Sequence, residues 1–232
     1  MYSAARLKPL GGKVSQVTGS SRGIGAAITL HLAPWAATSA AEGVAAKAPD
    51  LGVNTITIQA NVIEAKEVAN LFKRAKAEFG NLDIVMSNSG MERFGHLSEV
   101  SGDNIDRVRS VTVKAQYFVA RQSENLLENI GQRRHLSWEF TGLFDGYSEP
   151  GIVCSLQGRF HGYGEMLYMD FEKRNITANY IAPGGVKTDM YAEAASKHIP
   201  GGDRLTEAKI DGRVGRMSPF GRPGSPSGIA GL

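Results

Sequence analysis

The sequence has a single cysteine, Cys154, in 232 residues. An internal disulfide is excluded, and a lone thiol fits a reducing compartment. No apolar run approaches the ~18 residues of a membrane-crossing helix. Met1 to Lys13 has no apolar stretch of the kind a signal peptide or anchor needs. The expectation is a cytoplasmic protein with no membrane contact. An excess of one charge is also lacking: 26 Lys and Arg against 23 Asp and Glu leave a net +3. The basic residues are scattered rather than striped, so no nucleic-acid partner is expected. His, Cys and carboxylates nowhere fall at metal-ligand spacing, so no metal is expected, and His135 and His161 read as surface residues.

What is present is ordinary for a globular domain, with 42% hydrophobic and 21% charged residues. The length suits one α/β domain over residues 1–232. Strand and helix patterns alternate, which predicts a parallel sheet covered on both faces. Lys13 to Thr18 reads as a first strand, followed by a glycine-rich turn and a helix from about Gly25 to Ala33. Thr55 to Ala60 reads as a strand. Glu64 to Phe79 is an amphipathic helix with Val68, Leu71, Phe72, Ala75 and Phe79 on one face. Leu82 to Ser87 is a buried strand, Asp106 to about Ile130 one long helix, and Asn175 to Ala182 a strand stopped by Pro183-Gly184-Gly185. From Asp211 the chain is rich in Gly, Pro and Ser.

Two places break this rhythm. A helix near Ser39 to Ala48 would use half of Pro34 to Asn54, which leaves little for a second strand. No hydrophobic strand follows Ile229-Ala230, so the domain reads as C-terminally truncated. The fold class is therefore a Rossmann-type doubly wound parallel sheet, its second strand short or absent and its C-terminal strand missing. His135 to Tyr168 also lacks the apolar rhythm of a fifth strand, and glycines in Phe160 to Gly164 disfavour a helix by ~1 kcal/mol each.

Thr18-Gly19-Ser20-Ser21-Arg22-Gly23-Ile24-Gly25 stands between the first strand and its helix. Glycines permit a tight turn and let backbone approach a pyrophosphate. The helix start then offers free N–H groups and the positive end of its dipole. The string resembles the Thr-Gly-x-x-x-Gly-x-Gly signature of the short-chain dehydrogenase/reductase family. Asn61-Val62, Asn88-Ser89-Gly90 and Pro183 to Thr188 resemble further family segments in the right order. Ser87 to Gly90, Phe94-Gly95-His96, Phe118 to Arg121 and Ala182 to Tyr191 are most similar to fungal polyhydroxynaphthalene and versicolorin-type reductases. The resemblance implies a site for NADP, with Gly19, Ser21, Arg22, Gly23, Ile24 and Gly25 at the pyrophosphate. It implies Asn61 and Val62 at the adenine, Asn88, Ser89 and Gly90 at the end of the fourth strand, and Val186 and Thr188 at the nicotinamide. Arg22 favours NADP over NAD, since a basic residue in this turn can pair with a 2′-phosphate. Met190 and Tyr191 would line the pocket of a small carbonyl substrate, such as an aromatic polyketide. A homo-oligomer is implied as well.

The family's catalytic residues are a Tyr acid, a Lys four residues later, a Ser at the carbonyl oxygen and a helical Asn. Counting back from Asp170 and the strand at Asn175 places these positions at Val153, Gln157, Glu139 and Thr112. None matches, and Tyr147, Tyr163 and Tyr168 lack a Lys four residues on. Shifted by one nucleotide, with wobble bases chosen freely, Val153 to Arg159 can read Tyr-Ala-Ala-Ser-Lys-Gly-Ala. The same shift restores Ser at position 139 and can turn Arg134-His135-Leu136 into Val-Ile-Ser. Thr112 is not explained by it. Two functions follow: an NADPH-dependent ketoreductase of a polyketide-like pathway whose catalytic Ser-Tyr-Lys is not intact here, or an inactive dinucleotide-binding scaffold. A frame-disrupted gene is the third reading.

Overall fold

The computed structural model describes residues 10–33, 36–39, 54–91, 97–126, 134–139, 169–172, 174, 176–199 and 201–231. Among them the strands are β1 (Lys13–Val17), β2 (Ala36–Ser39), β3 (Thr55–Ile56), β4 (Ile84–Ser87), β5 (Arg134–Glu139) and β6 (Ile176–Ile181). All pairings are parallel, in the order β3-β2-β1-β4-β5-β6. The helices are α1 (Gly23–Leu32), α2 (Ala65–Phe79), α3 (Gly102–Arg109), α4 (Ala115–Leu126), α5 (Tyr191–His198), α6 (Glu207–Met217) and α7 (Pro226–Ala230). The direction of winding reverses between β1 and β4, and ligands of such sheets bind beyond the carboxyl ends of the strands at that reversal.

Successive strand residues point to opposite faces, and the core divides accordingly. Val14 and Val85 pack with Val68, Leu71, Phe72 and Ala75 of α2 and with Val119 and Ala120 of α4. Val17 and Met86 pack on the other face with Ile24 and Ile28 of α1. The apolar face read from the α2 sequence is this core face, with Phe79 partly buried against it. Its N-cap is Glu64.

Several sequence expectations change. One holds: the second strand is short, as expected, four residues long. Ser39 belongs to it, so no helix starts there; the rest of the expected helix lies outside the described residues. β3 is paired over only two residues, because Thr38 and Ser39 are all that β2 offers opposite Thr55 and Ile56. The long helix starts earlier than Asp106, at Gly102, since the Ser101 side chain caps it by accepting from the Asn104 N–H at 3.2 Å. A five-residue π turn, Ser110–Lys114, interrupts it before α4.

The expected gap at the fifth strand is corrected. Arg134–Glu139 is a central strand, paired with β4 on one edge and β6 on the other. Two ladders of backbone hydrogen bonds hold it, and these do not require alternating apolar side chains. After β6 no further strand occurs among the described residues. The glycine-rich segment after Asp211 is ordered instead: α6 buries Ile210 and Val214, and Ile229 and Ala230 of α7 pack on the α1 side of the sheet.

Candidate functional site

A crevice of about 230 Å³ opens at the carboxyl ends of β1 and β4. Gly19, Ser21, Arg22, Gly23 and Ile24 line it from the turn, and Asn88, Ser89 and Gly90 from the end of β4. Val111 and Thr112 of the π turn form another wall with Gln116 of α4. Thr188, Asp189 and Met190, after β6, complete it.

Thr18 holds the two strand ends together. Its hydroxyl accepts from the N–H groups of Asn88 at 3.0 Å and Ser89 at 3.1 Å. The Asn88 amide donates in return to the carbonyls of Thr18 at 2.9 Å and Gly19 at 3.2 Å. This crossing leaves no room for a side chain at Gly25 and crowds Gly19. A Cβ on Gly25 would stand 2.4 Å from both Asn88 Nδ2 and the Gly19 oxygen, and Gly19 itself has φ +66°. Gly25 thus lies behind the turn and lets the helix approach the strand, while Gly19 faces the crevice.

The start of α1 suits an anion. Arg22, its N-cap, makes no side-chain capping bond, and the first turn holds no acidic residue. The first N–H groups of a helix have no partner within it, and its dipole favours negative charge there. The exposed Arg22 adds a full positive charge at the same edge.

The remaining expected residues divide. Val186 is buried beneath the crevice against the α1 cluster and bridges Gly224. Asn61 and Val62 lie outside the crevice: Asn61 accepts the Glu64 N–H at 3.0 Å just before α2, and Val62 packs on the α2 core. Tyr191 also does not line the crevice, contrary to its expected place in a substrate pocket. As the first residue of α5 it turns its ring into a cluster with Ala195, Ile199, Ile210 and Val214. Its hydroxyl donates to Asp211 at 2.8 Å. Burial first, and that hydrogen bond second, push the Tyr191 phenol above its ordinary value. Asp211 is held below the ordinary carboxyl value, chiefly by Lys187, and Lys187 is raised by Asp211 and Glu207.

Of the catalytic positions, Thr112 lines the crevice, with its hydroxyl donating to the Met91 carbonyl at 3.3 Å. Glu139 ends β5, paired in register with Ile181. Val153 and Gln157 lie outside the described residues. Val111, Gln116 and Asp189 line the crevice without having been singled out from the sequence. Two adjoin residues that were, and Gln116 follows Thr112 by one helical turn. Gln116 is buried; it accepts from the Ser87 hydroxyl and donates to the Ser89 carbonyl at 3.1 Å.

Comparison with known proteins agrees with this geometry. A family profile described as enoyl-(acyl carrier protein) reductase matches residues 19–232. Versicolorin reductase 1 of Dothistroma septosporum is 39% identical over 229 residues, covering 95% of this chain and 87% of that protein. A trihydroxynaphthalene reductase of Colletotrichum orbiculare is 35% identical over 228 residues, 94% of this chain and 80% of that one. Among solved structures, a short-chain dehydrogenase from Burkholderia cenocepacia in complex with NADP superposes with a TM-score of 0.79 at 28% identity. It covers 96% of this chain and 89% of its own.

Proposed function

This chain belongs to the short-chain dehydrogenase/reductase family, and from that premise we propose that it binds NADPH in the crevice, on a scaffold built to reduce aromatic polyketide-like carbonyls. The carrying observation is that the glycine turn, the end of β4 and the Thr188–Met190 loop, far apart in sequence, line one crevice. The cofactor fits what is there. Gly19 to Ile24 would hold the pyrophosphate at the uncapped helix start, and Arg22 the 2′-phosphate. Asn88, Ser89 and Gly90 would flank the middle of the dinucleotide, and Thr188, supported by Val186, its nicotinamide end. Asn61 and Val62 are assigned to the adenine side, and Met190 to the substrate. When bound, NADPH supplies hydride to a carbonyl carbon.

The substrate class is drawn from the relatives named as versicolorin and trihydroxynaphthalene reductases, and the cofactor choice from the NADP complex. A cytoplasmic homo-oligomer is part of the same reading. What this chain contributes to proton transfer is the weak point. Val153 carries no transferable proton, and Gln157 no charge to lower a neighbour's pKa or to hold the ribose. Glu139, at the position assigned to the family's Ser, is a carboxylate rather than a neutral donor. General acid catalysis contributes ~10²–10⁴-fold. These residues favour a second reading, a dinucleotide-binding scaffold without turnover.

Titration of NADPH fluorescence and an assay with an aromatic ketone test both. Saturable but weak binding is expected, with preference over NADH lost in Arg22→Ala, and no ketone consumption above background. Failure to bind either dinucleotide would sink the cofactor reading. Turnover at rates usual for such reductases would sink the account of Val153, Gln157 and Glu139.

A further inference from the structure

The crevice loop is tied down from outside by groups that do not touch the crevice. Lys187 Nζ stands 2.5 Å from one Asp211 oxygen and 3.1 Å from Glu207. The Tyr191 hydroxyl donates to the other Asp211 oxygen at 2.8 Å. The ammonium also lies 5.9 Å from the centre of the Tyr191 ring. Asp211 is therefore shared between the residue just before Thr188–Met190 and the residue just after it. Both of its partners flank the loop, while Asp211 and Glu207 belong to α6.

The loop has little freedom between these ties. The Thr188 N–H donates to the Val186 carbonyl at 2.8 Å and the Tyr191 N–H to the Thr188 carbonyl at 3.0 Å. Behind it, the Lys187 N–H donates to the Gly224 carbonyl at 3.0 Å. Across the crevice, a Cβ placed on Gly23 would come within 3.5 Å of the Thr188 side chain. The position of this loop thus sets the gap opposite the glycine turn.

We propose that Tyr191, Asp211 and Lys187 form a latch of positioning residues that fixes the Thr188–Met190 loop over the crevice and so retains the nicotinamide end of bound NADPH. The proposal rests on the dinucleotide reading above. Exposed ion pairs contribute little by themselves, so the Lys187 contacts alone would not hold a loop. Tyr191 is the anchor: its ring is 6% exposed in the α5–α6 core, and burial together with Asp211 keeps its hydroxyl protonated as a donor.

The test compares NADPH with 2′-phospho-ADP-ribose, which lacks the nicotinamide. Tyr191→Phe removes only the hydroxyl, and Asp211→Asn acts from a partly exposed position should the first variant melt too low. One hydrogen bond to a charged carboxylate corresponds to about a ten- to hundredfold change in affinity. Both variants should raise the Kd for NADPH by that factor and leave the Kd for 2′-phospho-ADP-ribose unchanged. Lys187→Met, which removes only exposed ion pairs, should weaken NADPH binding less than Tyr191→Phe does. Equal weakening of both ligands, or no change in either, would overturn the latch while leaving the dinucleotide site standing. A wild-type protein that binds neither ligand would overturn the site and the latch together.

Discussion

Gln16 stands in the middle of β1 with no exposed surface, on the face where Val14 meets α2 and α4. Both polar atoms of its amide lack a hydrogen-bond partner among the described residues. Leaving a buried polar group unsatisfied costs about 1–3 kcal/mol. Gln16→Leu keeps a similar volume and removes that cost, so it should raise unfolding free energy by about 1–3 kcal/mol. At about 2–4 °C per kcal/mol for a domain of this size, the melting temperature should rise measurably. Gln116 gives the opposite expectation from the same side-chain chemistry. Its amide bonds both Ser87 and Ser89, so Gln116→Leu should lose about 1–3 kcal/mol. Thermal melts of the two variants side by side decide the matter. A destabilised Gln16→Leu would show that its amide is satisfied after all.

At the scale of elements, β1 and β4 are pinned at their amino ends as well as at the crevice. Asp83, just before β4, accepts from the Val14 N–H at 3.0 Å and from Lys13 Nζ at 3.1 Å. Its side chain is 3% exposed, and that of Lys13 24%. Asp83→Ala leaves a buried N–H and a half-buried ammonium without this partner. The expected loss is about 2–3 kcal/mol, below the range for fully buried pairs because water still reaches Lys13. Asp83→Asn, which can still accept from Val14, should fall between. Denaturant unfolding reads both, and a neutral Asp83→Ala would contradict the role. Elements of this kind were legible where side chains carry the signal. The helical spacing of Val68, Leu71, Phe72 and Ala75 sufficed for α2. Ala36–Ser39 carries almost no strand signal, and its pairing with β1 decides it. Arg134–Glu139 was missed because two neighbouring ladders outweigh the absent alternation. In α6, Gly212 and Gly215 obscure the pair Ile210 and Val214 that buries it.

At the scale of the whole molecule, the candidate site was legible where chemistry constrains local sequence. The backbone crossing under Asn88 admits only glycine at positions 19 and 25, so the turn announces itself. Tyr191 could not be placed the same way. Its neighbour Met190 faces the crevice while its own ring faces α6, and only the three-dimensional pairing with Asp211 separates them. The scaffold also sets Thr112 in the crevice wall and Glu139 at the carboxyl end of the central strand β5. The family resemblance assigns a catalytic Asn and Ser to these two positions, and Thr and Glu stand there instead. With wobble bases chosen to suit, a one-nucleotide change of frame can yield Ser at position 139 and Tyr and Lys at 153 and 157, with a β-branched start to β5. We therefore expect the transcript, sequenced across the codons for Gln132 to Asp170, to carry those three codons in the next frame. Protein expressed from that frame should reduce an aromatic ketone with NADPH ~10²–10⁴-fold faster than this chain, the usual contribution of general acid catalysis. If the next frame lacks the three codons, divergence rather than a frame change explains Val153 and Gln157. The crevice would then belong to a protein that keeps a dinucleotide and transfers nothing from it.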